Sequence, residues 1–248
     1  MYKTDSRLQS VLGDTHISRY MDFTSFYSLL RNQTLFFKRL DRYTDKLEGQ
    51  IFDETVVEFK AAILIKDPDI SIDYLQKMAD NHVENIKTFR ERTLSNSWNI
   101  GSEENYAMWK IYLRGSTEGV AIRTTVNKLI SQLNLVPNKE FYSGKVYYEP
   151  IHDYDTNQFR VSTTKRKSYA YENEYRILIL HQFKYGKPTI PKYDLGVSVK
   201  IDVQETIEQI YISPFANGWF RSVVEDMITD MLPLFKHTNI ISSIIQDT

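Results

Sequence analysis

Residues 165–180 read KRKSYAYENEYRILIL. Ile177 to Leu180 form an apolar run suited to a buried strand. Yet Glu172, Glu174 and Arg176 lead directly into it, behind Lys165, Arg166 and Lys167. In an extended chain, successive side chains alternate between two faces. If 172–180 is extended, Glu172, Glu174 and Arg176 share a face with Leu178 and Leu180. Asn173, Tyr175, Ile177 and Ile179 take the other. One face therefore begins polar and turns apolar, as in a strand that borders a cleft and then enters the core. A Glu174–Arg176 or Glu172–Arg176 ion pair on an exposed strand end fits the same letters. Such a pair would contribute about 0 to 1 kcal/mol.

Working outward, strands are expected at 15–20, 34–40, 93–100, 118–125, 144–149, 196–202, 208–213 and 239–245, from apolar alternation between turn residues. Helices are expected from Asp22 to Asn32, over 52–64 and 71–93, from a Ser102 cap to Gly115, after a Thr125 cap, and over 220–231. Residues 150–168 read as a long irregular stretch of the kind that is often functional. No repeat or linker divides the chain. The expectation is a single mixed α+β domain over 1–248, with small β-sheets flanked by helices.

The composition excludes several chemistries. With 248 residues, 42% of them hydrophobic, the chain can bury a sizeable core. Its 31 basic and 32 acidic residues give no global attraction to nucleic acid or anionic lipid. With no cysteine there is no disulfide, thiolate metal site or cysteine nucleophile, which suits a reducing cytoplasm. The N-terminal MYKTDSRLQSVLGD lacks a signal peptide's apolar stretch. No apolar run reaches the ~18 residues of a membrane helix, so no membrane partner is expected. The histidines show no metal-ligand spacing, and no metal site is assigned. Only nine glycines are present, without GxGxxG or GxxxxGK[ST], so a bound nucleotide would be held by side chains. Aromatics are plentiful: 17 Tyr, 13 Phe and 3 Trp.

Five stretches occur in order: ISRYMDFTSFYSLLRNQTLFFKRLDRYTDKLEG, SWNIGSEENYAMWKIYLRGSTEGVAIRTT, GKVYYE, TKRKSYAYENEYRILIL and IYISPFANGWF. Together they resemble the bacterial and phage family called domain of unknown function 2971, over about residues 16–245. The positions that carry the resemblance are Arg19-Tyr20, Asp45, Glu48-Gly49, Met108-Trp109, Tyr112, Gly119, Lys165-Arg166 and Glu172-x-Glu174-x-Arg176. The family name implies no activity.

More remotely, the order of motifs resembles the ADP-ribosyltransferases. These hold NAD in a cleft between two small sheets, using a basic residue, a Ser-x-Ser and a Glu-x-Glu on three strands. The matching residues here are Arg19, Ser95-Asn96-Ser97 with Trp98, and Glu172-Asn173-Glu174. The resemblance implies Glu174 as the catalytic carboxylate with Glu172 as its partner. Arg19, Tyr20, Ser95, Ser97, Trp98, Trp109 and Tyr112 would surround the dinucleotide. Lys165, Arg166, Lys167, Arg176, Asp45 and Glu48 would meet the substrate, the three consecutive cations forming a basic rim. NAD, or a related nucleotide-like small molecule, would be the substrate, and the acceptor a protein, a nucleic acid, a small molecule or water.

Each group also has a plainer reading. Asp45 and Glu48 suit loop stabilisation, Trp109 suits core packing, and the three cations suit a solvated face. A second chemistry is a Mg²⁺-dependent nuclease or phosphodiesterase using Asp45, Glu48, Glu172 and Glu174 beside Lys165 or Lys167. A third reading is a non-catalytic ligand-recognition module in a toxin or phage-conflict setting.

Overall fold

The computed structural model describes residues 1–43, 45, 53–149, 157–181 and 195–245. The apolar run of the opening stretch is an interior strand, β6 (Glu174–Leu180). It pairs antiparallel with β5 (Tyr142–Lys145) on one edge and with β3 (Thr93–Ile100) on the other. Both faces of β6 are covered, which explains its nearly unbroken hydrophobicity beyond Arg176.

The other edge of β3 forks. Leu94 and Ser95 pair with β2 (Thr34–Arg39), whereas Asn99 and Ile100 pair with β1 (His16–Asp22). From there one limb continues through β4 (Gly119–Thr125), β8 (Gln209–Ile212) and the parallel β9 (Ile240–Ser242). The second limb ends at β7 (Gly196–Lys200), paired with β2. Among the described residues, nine strands thus form one mixed, branched sheet with a gap opening opposite Asn96–Trp98.

Helices close the sheet. The Asp22 carboxylate accepts from Ser25 N–H at 2.7 Å and starts α1 (Phe23–Asn32), as its sequence predicts. Helix α1 buries Phe26, Leu29 and Leu30. The helices α2 (Asp53–Lys66) and α3 (Ile72–Glu91) pack on each other, and α4 (Tyr106–Tyr112) packs on β1. The Thr125 cap starts α5 (Val126–Asn134). The remaining helices are α6 (Gln158–Ser162), α7 (Val203–Thr206) and α8 (Gly218–Met231). The main core joins Ile17, Trp98, Tyr175 and Ile177 to Leu129, Phe220 and Val224. Among the described residues no helix is long and apolar enough to cross a membrane.

Four local expectations are corrected. Helix α4 is capped by Asn105, not Ser102; Tyr20 Oη accepts from Asn105 N–H at 2.9 Å and anchors that position. The strand expected over 144–149 is β5 at 142–145, after which Tyr147 bridges Thr164 instead. The described part of 150–168 contains α6, with Asn157 as its cap. Finally, Glu172 lies outside β6. It ends a 3-10 turn, Lys167–Glu172, and Asn173 follows in the left-handed region at φ 38°. Asparagine tolerates that conformation, so the chain turns sharply between the two glutamates. Trp219 is 58% exposed, while its neighbour Phe220 is buried.

Candidate functional site

The fork of the sheet opens into a cleft of about 1450 Å³, lined from both limbs and from the 3-10 turn before β6. At its floor, Arg176 clamps Glu174 with both ends of its guanidinium, Nε to Oε1 at 2.7 Å and Nη2 to Oε2 at 2.8 Å. Arg176 Nη1 also donates to the Ser162 carbonyl at 2.8 Å. The exposed ion pair allowed by the sequence is therefore a buried one. Lys165 Nζ lies 2.5 Å from Glu172 Oε2 and 3.5 Å from Glu174 Oε2, bridging the two carboxylates. Burial alone would raise the Glu174 pKa. The charges of Arg176 and Lys165, with hydrogen bonds from Arg176 and Ser97, outweigh it and hold the carboxyl down at about 2. Glu174 is thus ionised at neutral pH, and its orientation is fixed.

Arg19 comes from β1 where that strand leaves β3. Its Nη1 donates to the Ser97 carbonyl, on the edge of β3 that the fork exposes, over a long 3.4 Å. Among the described residues it has no carboxylate partner. Burial lowers its pKa, partly offset by nearby Tyr43 and Tyr112, but a guanidinium keeps its proton. It is therefore a half-buried cation facing a cleft whose described carboxylates are engaged elsewhere: Asp22 caps a helix, and Asp45, Glu172 and Glu174 hold cations. Arg114, at φ 53° just after α4, also lines the cleft.

Of the residues singled out by sequence, Tyr20, Ser95, Ser97, Tyr112 and Asp45 also border this cleft; Trp98 sits at its edge, but its indole is buried in the main core, on the sheet face opposite Ser97, and donates to Asn96 Oδ1 at 2.7 Å. Burial raises the Tyr112 hydroxyl well above its usual pKa and that of Tyr20 to about 12, so both are neutral donors. Other residues are not brought here. Trp109 is fully buried behind the wall, edge-on to Tyr20 at 4.9 Å, with its indole N–H on Glu104 Oε1 at 3.1 Å. It packs, because the turn of α4 that exposes Ile111 points Trp109 inward. Arg176 supports Glu174 from beneath. The basic rim does not form: Lys165 lines the cleft but is buried between carboxylates, Arg166 is bound by Asp45 at 3.0 and 3.1 Å, and Lys167 is exposed and does not line the cleft. Each cation faces differently because the 3-10 turn begins within the run. Glu48 lies outside the described residues.

Sequence reading missed the aromatics that complete the site. Tyr43 Oη lies 2.8 Å from Ser95 Oγ and 3.4 Å from Ser97 Oγ, tying both serines into one network. Tyr169, Tyr171 and Phe36 line the cleft as well. Seventeen tyrosines gave no pattern that marked three of them; their positions follow from loop geometry alone. Among the described residues no three His, Asp or Glu side chains are grouped to hold a metal ion. Asp45, Glu172 and Glu174 would each have to give up a cation to do so.

No model of a protein family, no curated protein and no solved structure matches the chain.

Proposed function

We propose that this protein is an ADP-ribosyltransferase-like enzyme that binds NAD in the forked cleft and cleaves its nicotinamide–ribose bond. The observation that carries the reading is the convergence of residues from three strands on one cleft. Arg19 of β1 donates to the Ser97 carbonyl of β3, and Glu174, on the β6 strand that pairs with β3, lines the same cleft as both. These are the three residue types, in the chain order, that the motif resemblance implies, and they adjoin one cleft between two limbs of a sheet. The proposal includes kinship with the domain of unknown function 2971 family and a cytoplasmic setting.

The chemistry suits these groups. Breaking the glycosidic bond builds positive charge on the ribose. A carboxylate already ionised and oriented stabilises that charge without reorganising. Part of the Glu174 charge is shared with Arg176 and Lys165, so its effect depends on close placement of the ribose. Arg19 offers forked donors to a pyrophosphate. Tyr112 and Tyr43 shape the walls around the reacting end.

The test is calorimetric titration with NAD together with a nicotinamide-release assay. Wild type binds NAD and releases nicotinamide. Arg19→Ala weakens NAD binding by at least about tenfold, the scale of a lost charge-assisted hydrogen bond, and Arg19→Lys recovers only part because it lacks the fork. Wild type that ignores NAD sinks the reading. Chelator-sensitive cleavage of nucleic acid by the same preparation would put the metal-dependent nuclease in its place.

A further inference from the structure

The limb of the cleft farthest from Glu174 carries a surface that the NAD reading does not use. Along β2, Leu35 and Phe37 enter the core, so Thr34, Phe36 and Lys38 face the cleft. On the paired strand β7, Ser198 lies opposite Phe36 and Lys200 opposite Thr34. Phe36 is 43% exposed, unusual for a phenyl ring on a strand whose other aromatic is fully buried. Its placement is built in. A Cβ added at Gly196 would come within 2.7 Å of the Phe36 ring carbon Cζ and would also strike the Phe37 carbonyl. The glycine therefore lets the ring lie across the neighbouring strand, with a face open to the cleft. Lys38 lies two residues from Phe36 towards one end of the strands, and Lys200 two positions away towards the other. Each is displaced by about 7 Å along the strand. Lys200 Nζ donates to the Asn32 carbonyl at 3.3 Å, which holds it over this surface.

We infer that the β2–β7 limb is a binding surface for single-stranded nucleic acid, with one base stacked on Phe36 and the phosphates on its two sides met by Lys38 and Lys200. An aromatic platform beside cations that follow a backbone is the general means of holding an unpaired strand. A duplex keeps its bases stacked on one another and offers none to the ring. The adenosine half of a dinucleotide carries phosphate on one side only, so it leaves one lysine without a counterpart, whereas a nucleotide within a strand satisfies both. The inference extends the reading above, because a strand lying here would run towards Glu174 in the same cleft. It is tested by binding without NAD, so either can fail alone.

The experiment is fluorescence anisotropy of the whole protein with a labelled single strand of about 12 nucleotides and mixed sequence, as DNA and as RNA. A duplex of the same sequence and unlabelled NAD serve as competitors. Wild type binds the single strand more tightly than the duplex. Phe36→Ala weakens binding by about tenfold, the scale of one lost base–aromatic stack, and Phe36→Trp retains it. Lys200→Gln lowers the slope of log affinity against log salt by about one. Phe36 is exposed, so these variants fold, and a thermal melt checks it. Equal affinity of Phe36→Ala and wild type for the strand overturns the inference, as does wild type that binds no strand. If Phe36→Ala weakens NAD and not the strand, the platform holds a dinucleotide base and the inference is likewise overturned.

Discussion

If the protein cleaves NAD as proposed, Glu174→Gln should lower turnover by at least about two orders of magnitude, the typical loss when a fixed electrostatic stabiliser is removed. Binding of intact NAD should fall far less, because the proposed ground-state contacts come from Arg19 and the aromatic walls. The substitution also has a structural cost that a solvent-lined cleft acid would lack. Arg176 has no exposed surface, and both ends of its guanidinium rest on Glu174. A neutral glutamine leaves that buried cation undercompensated, so the variant is less stable as well as less active. Turnover is therefore compared with that of the double variant Glu174→Gln/Arg176→Met, in which no buried guanidinium remains to be neutralised. The double variant regains stability relative to Glu174→Gln and stays inactive. If activity returns together with stability, Glu174 is a structural partner of Arg176 and the catalytic assignment is wrong.

The same pair marks the boundary of what the sequence made legible. Alternation along 174–180 placed Glu174 and Arg176 on one face and Ile177 on the other, and β6 has that parity. The strand at 93–100 and the caps at Asp22 and Thr125 were equally readable, since local hydrogen-bonding chemistry fixes them. The depth at which the pair sits was not readable. It depends on Ser162 and α6 packing beneath Arg176, a contact formed by a stretch that looked irregular. Nor could alternation reveal that Asn173 turns back on itself, because a left-handed residue interrupts the period it relies on. Glu172 reached the cleft through Lys165 rather than through strand parity.

The run at 165–167 shows a further limit. Three consecutive cations look like one patch in sequence, but a tight turn sends consecutive side chains in different directions. One of these was drawn inward by two carboxylates. The fork of the sheet, which creates the cleft, was invisible for another reason. It arises because β1 and β2 share one edge of β3, and pairing between distant strands leaves no mark in either strand's own pattern. Trp109 had a sequence context common to core and pocket residues alike; only the rotation of α4 decided between them.

Arg176→Met destabilises the fold at neutral pH by about 3–5 kcal/mol, the usual result of removing one partner from a buried ion pair. That is a large share of the about 5–15 kcal/mol by which domains are stable. The pH dependence identifies the cause. The Glu174 carboxyl, ordinarily at 4.5, is held at about 2 in the folded chain. A depressed carboxylate contributes its full stabilisation above its unfolded value and loses it as pH falls towards the folded one. Wild type should therefore lose on the order of 3 kcal/mol between about pH 4.5 and pH 2 from this group. In Arg176→Met the largest cause of the depression is gone and burial raises the pKa, so Glu174 takes up its proton at higher pH. The two proteins then differ most near neutrality and converge in acid. Urea midpoints measured for both from pH 7 downwards test this. Parallel profiles, with the same gap at every pH, would mean that Arg176 stabilises the fold through packing and through the Ser162 carbonyl, and that the Glu174 charge is held by Lys165 and Ser97 without it.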